Sequence, residues 1–250
     1  MKLAEEIVTF AQSPEFQGIE GWIYDDCIWV SAAILSAMAD NNISGPVFEL
    51  GVYKGRYLSA LHKCSRHYRQ SQMTTVGLDT FAFSSPDDPT SAFASLFGSS
   101  DDLRLVTGDS IKTKPADILE ACEAAPAFIS VDGDHTVWSV LNDHVLCADA
   151  LAVGGVIASD DFCNWGMIGL MDGIARFFLA NNRHDIVPFA FSMNKLFSCH
   201  RAYHGIYTSA VVGFCEDNQD LPPASRFLDL RQRGEHWCKN ELFGAECLIL

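Results

Sequence analysis

The sequence predicts an α/β fold: a doubly wound, mostly parallel sheet with helices on both faces and an antiparallel last strand. Three observations predict it. From about residue 45 onward, short apolar runs alternate with helix-length runs, the pattern of consecutive strand–helix–strand units. Those apolar runs end at or near an acid: Glu49, Asp79, Asp109, Asp132 and the Asp160–Asp161 pair. Carboxylates therefore gather at the C-terminal strand ends, where open α/β sheets form their ligand crevice. Finally, "DIVPFAFS" and "NKLFSCH" are two short strand-like runs separated by a tight polar stretch, which reads as an antiparallel hairpin finishing the sheet.

The elements follow in order. "LAEEIVTFAQ" reads as a helix, with a turn around Ser13-Pro14. In "DDCIWVSAAILSAMAD", Ile28, Ala32, Leu35 and Ala39 recur at helical spacing, and Asp25 or Asp26 is available to cap the start. The first strand is "VFEL" (47–50), followed by a glycine turn and the helix-like "YLSALHKCSRHY". Further strands are "TTVGLD" (74–79), "LRLVTGD" (103–109), "AFISVD" (127–132) and "GGVIASDD" (154–161), with "ADILEACEAA" and "VWSVLNDHVLCADAL" as helices between them. The stretch "TFAFSSPDDPTSAFASLF" is long and Ser/Pro-rich and is expected to be a mobile entrance loop. "MIGLMDGIARFFLANN" reads as a helix ahead of the hairpin. The tail from Asp220 holds Pro222-Pro223, a mixed helix and the apolar "ECLIL", expected to pack on the domain or at a dimer contact.

Charge narrows the function classes. A net charge of −15 disfavours attraction to phosphate backbones and acidic membrane surfaces, so no nucleic-acid or membrane partner is expected. The nine cysteines form no CxxC pair and have mostly apolar neighbours, which reads as buried, reduced thiols. A Glu pair interrupts "MKLAEEIVTFAQ" where a signal peptide needs an apolar core, and no run reaches the roughly 18 apolar residues of a membrane span. A cytoplasmic location is the expectation.

Several motifs carry chemistry. Gly51 and Gly55 in "VFELGVYKGRYLS" permit a sharp turn into the next helix and close approach of a ligand to the backbone. The run lacks both a P-loop ending and the three-glycine dinucleotide fingerprint, so a purely structural turn stays open. Glu49 just before it and Asp79 one βαβ unit later favour a nucleoside, because an acid at Asp79 can accept hydrogen bonds from ribose hydroxyls. Asp109 and Ser110 in "VTGDS" occupy the place that faces an adenine ring in such sheets, or cap the helix that follows.

Asp132, Asp160 and Asp161 come from adjacent predicted strands, and crowded carboxylates resist ionisation without a positive partner. A hard divalent cation, Mg²⁺ before Mn²⁺ or Ca²⁺, answers that need; capping of the next helix by Asp160 and Asp161 is the alternative. His135, three residues beyond Asp132, has the ordinary pKa of about 6.5 that suits a general base, or is one half of a surface ion pair. His200 and His204 have i,i+4 spacing without the acid of an HExxH motif.

Together, "VFELGVYKG", "VGLD", "FISVDGDH" and "GGVIASDDF" resemble class I S-adenosylmethionine-dependent methyltransferases. The nearest branch is the metal-dependent O-methyltransferases of macrolide sugars and related natural products, and the resemblance covers roughly residues 45 to 200. It implies a Rossmann-like sheet of seven strands with the last antiparallel. It also implies S-adenosylmethionine contacts at Glu49, Gly51, Gly55, Asp79, Asp109, Ser110 and Asp132, metal ligation by Asp132, Asp160 and Asp161, and His135 as base. Asn194, in the hairpin, is placed facing the active site. The implied organisation is an N-terminal helical segment (1–44) shaping the acceptor pocket, the methyltransferase domain (45–215) and a C-terminal tail (216–250), with a homo-oligomer possible. Tyr57 departs from the branch, which has a small Ser or Thr there. The acceptor is expected to be a small-molecule hydroxyl on a sugar, polyol or phenol. A metal-dependent hydrolase or hydroxylase on the same fold, or a non-catalytic nucleoside-binding module, would also accommodate these residues.

Overall fold

All four residues of β1 (Val47–Leu50) are buried, as expected of an apolar run in a sheet covered by helices on both faces. The computed structural model describes residues 1–69 and 73–250. Beside β1 on one side lie β2 (Thr75–Asp79) and β3 (Leu103–Thr107), and on the other β4 (Phe128–Val131) and β5 (Val156–Ser159), all parallel. The order thus reverses between β1 and β4, and such a switch point opens a crevice at the strands' C-terminal ends. The hairpin is formed by β6 (Ile186–Ser192) and β7 (Lys195–His200), with β7 inserted between β5 and β6 and antiparallel to both.

Among the described residues the sheet has nine strands in the order β3-β2-β1-β4-β5-β7-β6-β9-β8, against the seven that the resemblance implied. The two extra strands come from the tail: β8 (Lys239–Leu242) and β9 (Ala245–Ile249) form a second hairpin, and β9 joins β6 in parallel. The apolar "ECLIL" segment buries Cys247, Leu248 and Leu250 by completing the sheet, while β8 is a polar edge strand with an exposed centre, which discourages further edge pairing.

The helices are α1 (Glu5–Ala11), α2 (Pro14–Gln17), α3 (Asp25–Asp40), α4 (Arg56–Arg69), α5 (Asp87–Phe97), α6 (Pro115–Cys122), α7 (Val137–Ala150), α8 (Ile168–Arg176), α9 (His204–Asp217), α10 (Pro222–Arg233) and α11 (Glu235–Cys238). One face of the sheet is covered by a core drawn from α1 to α5, α9 and α10, the other by α6, α7 and α8. Helix α3 has the predicted extent but not the predicted cap. Tyr24 is its N-cap and makes no side-chain bond. Asp25 and Asp26 lie inside the first turn, where a negative charge favours the helix dipole, and Asp26 pairs with Arg226 of α10 at 3.1 Å.

The expected entrance loop is instead half helical. Helix α5 buries Phe93, ends on Gly98 at φ +82°, and places Phe93 and Phe97 with ring centroids 5.1 and 4.6 Å from His62. Tertiary burial of this aromatic face overrides the weak helix preference of its Ser and Pro residues. All nine cysteines are free, and eight of them are buried. Among the described residues, no helix is long and apolar enough to cross a membrane.

His62 on α4 is buried against those rings, with Nδ1 2.9 Å from Thr75 Oγ1. Burial, reinforced by Arg66, lowers its pKa from the ordinary value to about 4. A histidine depressed in the folded state contributes stability above about pH 6.5 that is lost as pH falls toward the folded value. Between pH 7.5 and pH 5, wild-type protein should therefore lose ~2 kcal/mol more stability than His62→Gln. Urea melts at the two pH values check this; equal losses in both proteins would refute it.

Candidate active site

The crevice is built from the loops that leave β1, β2, β4 and β5. Gly51 adopts φ +85°, and a Cβ there would lie 1.8 Å from the carbonyl oxygen of Asp132. The β1 and β4 loops approach that closely, so only glycine fits. Gly55 adopts φ +81°, and a Cβ there would meet Pro89 Cβ at 2.7 Å. Asp79 holds the turn from the neighbouring strand: its Oδ2 accepts from Val52 N (2.7 Å) and Tyr53 N (2.8 Å), and its Oδ1 from Phe81 N (2.6 Å). Three acceptor sites of that carboxylate are thus used by loop amides, leaving one of its roughly four lone-pair directions for a ligand hydroxyl.

Glu49 is buried beneath this turn and its Oε2 has no hydrogen-bond partner among the described residues. Burial is the largest cause that pushes its pKa up to about 8. Such an orphaned acceptor suits a ligand ammonium or hydroxyl. At the other end of the crevice, Asp109 caps its own turn rather than α6: Oδ1 accepts from Ile111 N at 3.1 Å and Oδ2 lies 3.2 Å from Lys112 Nζ. Helix α6 is instead closed by Asp117 Oδ2, which accepts from Lys114 N at 2.7 Å. The Ser110 carbonyl accepts from Asn142 Nδ2 of α7 at 3.2 Å.

The two aspartates of "VDGDH" divide their work. Asp134 accepts from Thr136 Oγ1 at 2.9 Å beside the start of α7, where Thr136 is the N-cap. Asp132 turns into the crevice with His135 and Asp161; ligand atoms of these three lie within 4.8 Å of one another. Asp161 is held there by an unusual backbone, φ +55°. Its Oδ1 accepts from Asn164 Nδ2 (2.9 Å) and Asn194 Nδ2 (3.1 Å), and its Oδ2 lies 3.1 Å from His135 Nε2. The His135 contact is the main cause that lowers the Asp161 pKa to about 2, and the same contact raises that of His135. Burial, with Asp160 next in importance, raises the Asp132 carboxyl well above its usual range.

Asp160 is not one of these three, but its carboxyl contacts that of Asp132, and its Oδ1 is buried without a hydrogen-bond partner among the described residues. Its Oδ2 lies 3.1 Å from Lys195 Nζ, and both side chains are almost fully buried. Lys195, absent from the sequence-derived site, was marked by one signal: it alternates along β7 with the buried Phe197 and Cys199, a position at which an ammonium needs a partner. His200 and His204 do not share a helix. His200 ends β7 and accepts from Ala202 N, whereas His204 starts α9 with Nε2 2.6 Å from the Glu246 carbonyl.

Aromatic side chains ring the same end of the sheet. Trp22 stacks on Tyr53 at 5.6 Å, and Phe83 and Trp165 are over 90% exposed.

Residues 48–162 match the family described as "Methyltransferase domain". The chain is similar in fold to many solved structures, these three among them. One is CalS11, a TDP-rhamnose 3'-O-methyltransferase of calicheamicin biosynthesis, at 18% identity and TM-score 0.54, covering 77% of this chain and 90% of that one. Another is cofactor-bound Rv0187 from MTB, at 13% and 0.57, covering 79% and 91%. The third is MycE of the mycinamycin pathway, in complex with Mg and SAH, at 16% and 0.51; 78% of this chain is covered but only 55% of MycE. No curated protein matches the sequence.

Proposed function

We propose, from the premise that this chain carries a methyltransferase domain over residues 48–162, that it transfers the methyl group of S-adenosylmethionine to a hydroxyl oxygen of a small molecule. The observation that carries the reading is the meeting of Asp132, His135 and Asp161 beside a glycine turn anchored by Asp79. Solved proteins of similar fold include O-methyltransferases, one with Mg and SAH.

The carboxylate oxygens of Asp132 and Asp161 fit a hard divalent cation such as Mg²⁺, which these two residues would hold. A cation bound there supplies Lewis acidity that lowers the pKa of an acceptor hydroxyl. The chain's own residues do the rest. Asp161, clamped by Asn164 and Asn194, orients the His135 imidazole and strengthens its hold on a proton. With Nε2 turned to Asp161, His135 takes the acceptor's proton at its other ring nitrogen, Nδ1. Gly51 and Gly55 let the donor approach the backbone, and Glu49 offers its unpartnered oxygen to the donor's polar end. The sheet edge fixes donor and acceptor in line, and such positioning supplies much of the acceleration in bimolecular transfers. The exposed Trp22, Phe83 and Trp165 favour an acceptor with an apolar face beside its hydroxyl.

The test is a screen with labelled S-adenosylmethionine against glycoside, polyol and phenol acceptors, paired with calorimetry of donor binding. Donor binding with label transferred to oxygen is the expected result. Absence of donor binding, or hydrolysis without transfer, would refute the reading.

A further inference from the structure

Among the described residues Lys195 is the only lysine or arginine that is buried, and the chemistry above gives it no task. Its place follows from the strand register. Glu49 on β1, Ser130 on β4, Ala158 on β5 and Phe197 on β7 are successive cross-strand partners, so their side chains share one face of the sheet. Two residues nearer the crevice come Asp132, Asp160 and, because β7 runs the other way, Lys195.

The ammonium is enclosed there but not satisfied. Nζ lies 3.1 Å from Asp160 Oδ2 and 4.1 Å from the centre of the Tyr57 ring, yet it has no hydrogen-bond partner among the described residues. An ammonium carries three donors, and burying them unmade is costly. Tyr57 offers the lysine only its ring, because its hydroxyl is directed to Ser31 Oγ of α3 at 2.7 Å.

Glu49 has the converse defect: its Oε2 is a buried acceptor without a partner. Burial raises its carboxyl above the usual range, and Lys195 is the strongest influence opposing that rise, so the two groups sense each other across this floor. An α-amino acid end, with an ammonium and a carboxylate on one carbon, is the complement of such a pair. Other cations on the loops after the strands are already paired, Lys54 with Glu20 and Lys112 with Asp109.

We propose that Lys195 anchors the carboxylate of the donor's amino-acid end while Glu49 holds its ammonium, so that the site selects donors carrying the complete zwitterion. This rests on the donor part of the proposed function and adds the residue that reads the donor's negative charge. Asp160 keeps its contact on one side of the ammonium, whose remaining protons serve the donor.

The test is calorimetry on the full chain in EDTA, without acceptor. Two probes are compared: S-adenosylhomocysteine and its decarboxylated analogue, which keeps the ammonium and lacks the carboxylate. Wild type should bind the complete probe at least about tenfold more tightly, the size of one hydrogen bond between charged groups. In Lys195→Met/Asp160→Asn, which exchanges both members of the buried pair and so spares the fold, the preference should shrink to about threefold or less. Asp160→Asn alone should keep the preference, because the ammonium remains.

Equal binding of both probes by wild type, or an undiminished preference in the double variant, would overturn the anchor and leave the donor reading intact. Loss of the preference in Asp160→Asn alone would transfer the effect to the aspartate and also overturn it. Binding of neither probe by wild type would overturn both readings. The wild-type comparison depends on no variant, and it decides even if the double variant fails to fold.

Discussion

Asp161→Asn is expected to lower methyl transfer by at least about 100-fold, the scale of losing a positioned acid–base partner, while S-adenosylhomocysteine affinity stays within about threefold. The split follows from geometry. Asp161 meets His135, Asn164 and Asn194, none of which belongs to the glycine turn or to the Asp79 anchor. Asparagine also accepts the left-handed backbone at this position, which most side chains resist, so the fold should be retained. The exchange removes the anion that sets the imidazole's orientation and proton affinity, together with one of the two proposed carboxylate holders. Rates with any acceptor found by the labelled-donor screen, set beside calorimetry with S-adenosylhomocysteine, make the check. Turnover near wild type would remove Asp161 from the mechanism, and joint loss of turnover and cofactor binding would make its role structural.

Gly51→Ala carries the other large effect. The added Cβ would stand 1.8 Å from the Asp132 carbonyl at a φ of +85°, so both sterics and backbone conformation oppose it. One of the two loops must retreat, and Gly51 N, which donates to Leu78 O at 2.9 Å, moves with it. A stability loss of more than ~3 kcal/mol is expected, a size reserved for named defects such as backbone overlap, and donor affinity should fall with it. Urea denaturation followed by circular dichroism measures the first part; a loss under ~1 kcal/mol would mean that the two loops separate freely.

Much of this architecture was readable before any coordinates. Apolar runs bounded by glycine and acid located β1 to β5, because strands buried on both faces show little else. The acids at their ends marked the crevice, because ligand-binding loops follow those ends. The tail hairpin was not legible as strands. Only β9 carries an apolar signal, and β8, "KNEL", is a polar edge strand that pairs with β9 next to it, while β9 is placed by β6, a partner far away in sequence. Helix α5 was hidden for the opposite reason: its local composition favours a loop, and burial of Phe93 against α4 decides otherwise.

In the site, Asp132, Asp161 and His135 were found together because short sequence distances tie each to a strand end. The fate of Asp160 was not visible. Adjacent aspartates look equivalent in sequence, and only the backbone twist at Asp161 and the arrival of Lys195 from another strand separate them.

The insertion of β7 between β5 and β6 bears on how the protein assembles. Both Asn194, which braces Asp161, and Lys195, which pairs with Asp160, ride on a hairpin that must slot beside β5 after a separation of roughly 40 residues along the chain, a slow kind of closure. The bracing of Asp161 and the pairing of Asp160 thus depend on a long-range strand pairing, whereas the glycine turn is held by Asp79 from the adjacent β2.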